Sequence, residues 1–235
     1  EITGRKITPE NLREGIKTAN NKRKALQRLS ALRKATPSPI SGLDALLVNQ
    51  IAFYDDPLRF TRNVNALCDE LDERVKKGIG VTKNGIPRIL ISGSPMAVPN
   101  WKIPFIVETS GAIVVGEESC VGERSTRDLV DETGKTLNDM IDAIVGRYFK
   151  IDCACFTPNE ERTGHVLDLA RELKVDGVIH YSIQFCTPYT VEAYKVEKAV
   201  QNAGIPFLKI ESDYGMEDMG QLKTRIEAFL EIAKK

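Results

Sequence analysis

The stretch RILISGSPMAVPNWKIPFIVETSGAIVVGEESC, residues 88–120, holds the pattern that decides the fold. Arg88–Gly93 is a short apolar run bounded by proline and glycine, and Gly111–Gly116 is a second one. Both have the length and β-branched content of buried strands. Between them, Trp101–Thr109 has the composition of a helix. The same alternation continues to the end of the chain. Helices are expected over Leu137–Phe149, Glu161–Leu173, Tyr189–Ala203 and Asp218–Ala233, and strands over Asp176–Tyr181 and Ile205–Ile210, with Cys153–Thr157 a further short strand or a loop. Alternating strands and helices imply a parallel sheet with helices on both faces.

Upstream of residue 88 the period is helical. Residues 8–35 carry one apolar stripe (Leu12, Ile16, Ala19, Leu26, Leu29), with Thr8 as a cap and Pro9 in the first turn. Residues 1–34 hold ten Lys/Arg against three Asp/Glu, which reads as a solvated face or as a docking surface for an acidic partner. Thr36-Pro37-Ser38-Pro39 breaks that helix, and two more follow, one from near Ser41 and one ending near Lys77. Residues 1–84 are therefore read as a helical segment and residues 85–235 as an α/β domain.

Lysine plus arginine balance aspartate plus glutamate at 33 each, so no global field points to nucleic acid or to a membrane surface. No apolar run is long enough for a transmembrane helix, and no signal peptide opens the chain, so a cytoplasmic location is expected. The chain begins with Glu1, which suggests processing or a piece of something longer. Five cysteines without a signal peptide argue against a disulfide framework.

In parallel sheets of this kind, ligands sit beyond the carboxyl ends of the strands. Cys120, Cys153, Cys155 and Cys186 all fall in that set of loops, beside glycine, proline and polar residues; Cys68 falls among the apolar positions of a helix and reads as core filler. Cysteine favours interiors, so four at one edge point to thiolate ligation. The spacing lacks the paired C-x2-4-C of most zinc sites and the C-x2-C-x2-C run of ferredoxins. Thiolates from separate loops suit a cluster held across a cleft better than zinc, though a zinc protein stays open as an alternative. His165 reads as a surface helix residue, and His180 as ending a strand near the same edge. No phosphate loop, dinucleotide fingerprint or Ser/His/Asp spacing is present.

The segment GAIVVGEESCVGERS, Gly111–Ser125, resembles the part of 2-hydroxyacyl-CoA dehydratase subunits where a strand ends in an acidic pair followed by Cys, Gly and Arg. Thr157–Gly215, with its DGVI strand, FC loop and GIP strand, resembles the family's C-terminal stretch, and residues 40–77 resemble its connecting helices. The family also includes benzoyl-CoA reductase subunits and double-cubane cluster proteins. The resemblance implies flavodoxin-like α/β domains, two per subunit, with an iron–sulfur cluster between them. The present chain then corresponds to the C-terminal portion, without the first α/β domain. It further implies a 4Fe–4S or double-cubane 8Fe–9S cluster, an ATP-dependent activator protein as electron donor, a homo- or heterodimer and an acyl-CoA substrate dehydrated through a ketyl radical. The function implied is that of an electron-accepting iron–sulfur subunit, for dehydration or for double-cubane reduction of small molecules. By resemblance Cys186 is the first candidate cluster ligand, then Cys120 and Cys153, with Cys155 an alternate to Cys153. Glu118, Arg124 and Arg162 match family positions near the cleft as candidate catalytic residues; their structural alternative is ordinary ion pairing. Two carboxylates beside a thiolate repel, so Glu117 and Glu118 are expected to point different ways. A module of the same fold that has lost its cluster is the non-catalytic alternative.

Overall fold

The computed structural model describes residues 4, 6–156 and 158–234. Three helices come first: α1 (Pro9–Leu32), α2 (Gly42–Ile51) and α3 (Pro57–Lys76). Each starts on a side-chain cap, from Thr8, Ser41 and Asp56 respectively, which satisfies amide groups the first turn would leave unpaired. There follow β1 (Arg88–Gly93), α4 (Lys102–Thr109), β2 (Ile113–Glu118), α5 (Glu123–Thr126), α6 (Leu137–Tyr148), α7 (Glu160–Glu172), β3 (Gly177–Ile183), α8 (Thr187–Asn202), β4 (Phe207–Ser212) and α9 (Met219–Ala233).

The four strands pair in the order β2-β1-β3-β4, all parallel. On one face, Ile89, Ile91, Val114, Ile179 and Ile210 pack against α4, α9 and Leu46 of α2. On the other, Leu90, Ile113, Val115 and Val178 pack against α7 and α8. The sheet is thus covered on both faces, as an all-parallel sheet requires. The strand order reverses direction between β1 and β3, so the crevice for a ligand opens beyond Gly93 and Ile183. Gly93 sits there at φ +115°, and a Cβ on it would lie 2.1 Å from the Tyr181 carbonyl oxygen. Only glycine lets the chain leave β1 so close to β3.

Residues 153–156 form a turn rather than a strand; Thr157, the last residue of that expected element, lies outside the described residues. The second strand starts and ends two residues later than its apolar run suggests, so Glu117 and Glu118 are strand residues and not loop residues. Register with β1 slips by one between the pairs Ile89–Val114 and Leu90–Gly116. This bulge re-aims the strand end. Glu118 turns toward α7 and Glu117 toward the end of α1, where each meets arginine.

The N-terminal helices form a cluster of their own around Leu26, Leu29, Phe60, Val64 and Leu71, with Cys68 fully buried inside it. Burial pushes the Cys68 thiol up to about 11. Cys68→Ala should cost about 1–3 kcal/mol in denaturant unfolding and leave any bound iron unchanged. Loss of iron in that variant would overturn its assignment as core filler.

Candidate functional site

Three segments bring cysteine to the carboxyl edge of the sheet. The first follows β2. A turn closed by the Gly122 amide donating to the Ser119 carbonyl (3.1 Å) presents Cys120. A Cβ on Gly122 would meet the Glu117 carbonyl oxygen at 2.1 Å, so this turn needs glycine as well.

The second segment precedes α7. The Phe156 amide donates to the Cys153 carbonyl (2.9 Å), curling Cys153 and Cys155 into one turn. Asn159 holds that turn, donating to the Cys153 carbonyl (3.0 Å) and to Glu192 on α8 (2.8 Å). Just before it, the buried Asp152 carboxylate pairs with Arg127 (3.0 Å) and with His165 Nδ1 (2.7 Å). Burial alone would raise the Asp152 carboxyl, but the His165 hydrogen bond and the Arg127 guanidinium hold it below the usual range. His165 is therefore not the free surface residue the helical pattern suggests.

The third segment joins β3 to α8. Phe185 adopts φ +67°, in the left-handed region, where a non-glycine residue is strained. The turn it completes, with the Cys186 amide donating to the Ile183 carbonyl (3.0 Å), sets Cys186 at the N-cap of α8. Cys186 thus stands at the positive end of a sixteen-residue helix. Ser94, in the loop after β1, accepts from the Ile183 amide (3.1 Å) and ties the crevice together.

The four thiols share one neighbourhood. The Cys155 thiol is held above its ordinary value first by hydrogen bonding with Cys153, then by the Cys153 charge and burial, then by the charges of Cys186 and Cys120. Cys120, Cys153 and Cys186 are partly exposed, and Cys155 is exposed. Among the described residues no three His, Cys, Asp or Glu side chains close tightly enough to hold one metal ion.

Behind the thiols lies a buried charge network. The Glu118 carboxylate, 4 % exposed, accepts from Arg124 Nε (3.0 Å), Arg162 Nη2 (2.9 Å) and Ser92 Oγ (2.9 Å). Arg162 pairs in addition with Glu192, and Arg124 donates to Tyr189 Oη (2.6 Å) and to Cys120 Sγ (3.7 Å). Glu118, Arg124 and Arg162 are thus brought together, all buried, with only Arg124 touching a cysteine. Glu117 faces away and is clasped by both terminal nitrogens of Arg33 at 2.8 and 2.9 Å. The acidic pair does split, because consecutive residues of a strand point to opposite faces.

His180 is fully buried between strand and helix instead of at the edge, stacked on Phe207 at 6.1 Å, with Nε2 3.3 Å from the Tyr189 carbonyl. The residues that sequence reading missed are Arg33, Asp152, His165, Tyr189 and Glu192. Asp152 beside Cys153 was the one local signal among them. The others gain their roles only through the fold.

Comparison with known proteins follows the same lines. The model of the family described as 2-hydroxyglutaryl-CoA dehydratase, D-component, matches residues 1–233. The Escherichia coli (strain K12) protein named "Putative dehydratase subunit YjiM" is 36% identical over 238 residues, covering 99% of this chain and 60% of that protein. The (R)-phenyllactyl-CoA dehydratase beta subunit of Clostridium sporogenes is 28% identical, over 98% of this chain and 59% of that one. The (R)-2-hydroxyglutaryl-CoA dehydratase subunit beta of Acidaminococcus fermentans is 25% identical, over 98% and 60%. The chain thus spans about three fifths of the length of these relatives. With a match along almost its whole length, the chain belongs to the 2-hydroxyglutaryl-CoA dehydratase D-component family.

Proposed function

We propose that this chain forms one wall of an iron–sulfur cluster site in a 2-hydroxyacyl-CoA dehydratase-type component, with Cys186, Cys120 and one of Cys153 and Cys155 as ligands. The observation that carries the reading is the gathering of four thiols from three separate loops at one sheet edge. The donor set fits such a group. Soft thiolates select iron–sulfur clusters or zinc, but a single zinc ion draws its sulfurs to about 3.8 Å of one another (from Zn–S of about 2.3 Å). The thiols here come from three separate loops. A polynuclear cluster is wider and tolerates ligands from separated loops.

A cluster held there would accept and pass on one low-potential electron, delivered in this reading by an ATP-dependent partner protein to act on an acyl-CoA substrate. The chain's own residues do the rest. Arg124 donates to Cys120 Sγ and fixes that thiolate's direction. The N-cap position at α8 fixes where Cys186 meets the site. Phe185 and Phe156, 90 % and 60 % exposed beside the cysteines, supply an apolar rim for a second protein surface to close over the site and exclude water. That surface belongs, in this reading, to a further α/β domain or a second subunit. A second reading, double-cubane reduction of small molecules, is favoured by the fourth thiol, Cys155.

The test is anaerobic iron and acid-labile sulfide analysis of the full-length protein. The expected content is about four irons per cluster site, and about eight for the double-cubane reading. Cys186→Ala should lose most of the iron while keeping its circular dichroism. Unchanged iron would rule Cys186 out, and zinc in place of iron would overturn the reading.

A further inference from the structure

A cavity of about 260 Å³ lies between α1, the residues just after α2, α5 and α6, and Cys120 forms part of its wall. Four cationic side chains line it: Lys22, Arg23, Arg124 and Arg147. Two other buried guanidiniums are matched with carboxylate, Arg33–Glu117 and Arg162–Glu118, while a third, Arg88, rests on carbonyl and hydroxyl oxygens alone. Arg124 follows the first pattern through Glu118. The other three do not. Lys22 donates to the Ala52 carbonyl (3.0 Å). Arg23 donates to Asn20 Oδ1 (3.2 Å) and reaches Tyr148 Oη (3.5 Å). Arg147 donates to the carbonyls of Asp128 (3.1 Å) and Ser125 (2.5 Å). Among the described residues none of the three forms an ion pair with a carboxylate.

Arg23 and Arg147 are buried and Lys22 is half-buried. Burying charge without a counter-charge is costly, and here like charges are crowded together. The Arg23 guanidinium, after burial itself, weighs against the charged forms of both Lys22 and Arg147. Beyond Glu118 on Arg124 and the Asp128 charge near Arg147, no carboxylate is matched to the cavity's cations among the described residues, which leaves the cavity suited to an anion from outside. A single carboxylate would leave most of the charge unmatched. A phosphate or diphosphate carries two or three negative charges, and guanidinium groups fit its oxygens.

We propose that this cavity is a phosphate subsite, taking the phosphate or diphosphate group of a ligand whose remainder lies outside it. It explains why the basic surface of α1 and of the turn after it is only partly used within the chain: Arg28 pairs with Asp69 and Asp72, and Lys34 with Glu172, while Lys22 and Arg23 turn into the cavity. The subsite stands whether or not the thiols hold a cluster, although sharing Cys120 sets any ligand bound there against the thiol edge.

The test is binding of inorganic pyrophosphate, coenzyme A, ADP and acetate to the full-length protein, by calorimetry and by the shift in unfolding temperature. Pyrophosphate should bind and stabilise, and acetate should not. Arg147→Met and Arg23→Met should each weaken pyrophosphate by about tenfold or more, while Lys24→Gln, exposed outside the cavity, should leave it unchanged. Lys22→Gln, at the half-buried rim, keeps the test available should a core variant fail to fold. Coenzyme A binding more tightly than pyrophosphate would identify an acyl carrier as the source of the phosphate, and ADP doing so a nucleotide. No pyrophosphate binding by the wild-type protein, or equal binding in the cavity variants, would overturn the subsite without touching the cluster reading, which the iron analysis decides.

Discussion

Glu118→Ala should lower the free energy of unfolding by about 3–5 kcal/mol, the largest single-residue effect expected in this protein. The carboxylate is buried and accepts from two guanidinium groups and a hydroxyl. Its removal leaves Arg124 with the Tyr189 hydroxyl, the Cys120 sulfur and the residue-118 backbone carbonyl, and leaves Arg162 with Glu192 and the Ser92 hydroxyl. The cost is set less by the lost attraction than by the two cations left buried without their shared counter-charge. Glu118→Gln separates the two causes. It keeps the shape and an acceptor oxygen but removes the charge, so its loss should lie between wild type and alanine. Urea unfolding followed by circular dichroism measures both. A loss under about 1 kcal/mol for Glu118→Ala would mean that water or rearranged side chains replace the carboxylate, and that the network is not a scaffold for the thiol loops.

That network also explains what could and could not be read in the sequence. The strands were legible because buried parallel strands are continuous apolar runs, as at Arg88–Gly93 and Gly111–Gly116. The end of β2 was not, because Glu117 and Glu118 look like loop residues until Arg33, Arg124 and Arg162, from 84, 6 and 44 positions away, neutralise them. Periodicity carries no information about such long-range pairs. The cysteines were legible as a group because the strand pattern assigns each loop to one end of the sheet. The turn at Cys153–Phe156 was ambiguous for the opposite reason: Asp152, Asn159, Arg127 and His165 hold it through side chains, and no backbone ladder is involved. His180 was misjudged in depth. Its position in the alternation was correct, but β3 runs on to Ile183, so the residue falls inside the sheet. The basic character of α1 was visible, yet its division between ion pairs and a cavity depends on how α1 packs on α5 and α6.

The burial of His180 has a pH consequence of its own. Burial, followed by the nearby Arg162 charge, pushes its pKa down to about 4 from an ordinary value of about 6.5. Lys209 acts in the same direction, and the Tyr189 carbonyl and Glu118 act against it. In the folded chain the ring is therefore neutral at pH 5, while in the unfolded chain it is charged. Between about pH 6.5 and about pH 4 the unfolded state binds the proton that the folded state refuses, so stability falls as pH falls across this window and is unaffected by this residue above it. At about 1.4 kcal/mol per unit, the full window is worth about 3 kcal/mol. Carboxylates add their own losses below pH 5, so the contribution of His180 is isolated by comparison. Unfolding free energies of wild type and His180→Gln, each taken at pH 7 and pH 4.5, should differ in their pH-dependent loss by about 2–3 kcal/mol, the variant losing less. Equal losses would mean that the ring takes up its proton within the fold, through water reaching Nδ1 or through movement of α8 away from Phe207. In that event the packing of α8, and with it the placement of Cys186 at its first turn, would be looser than the buried contacts around His180 imply.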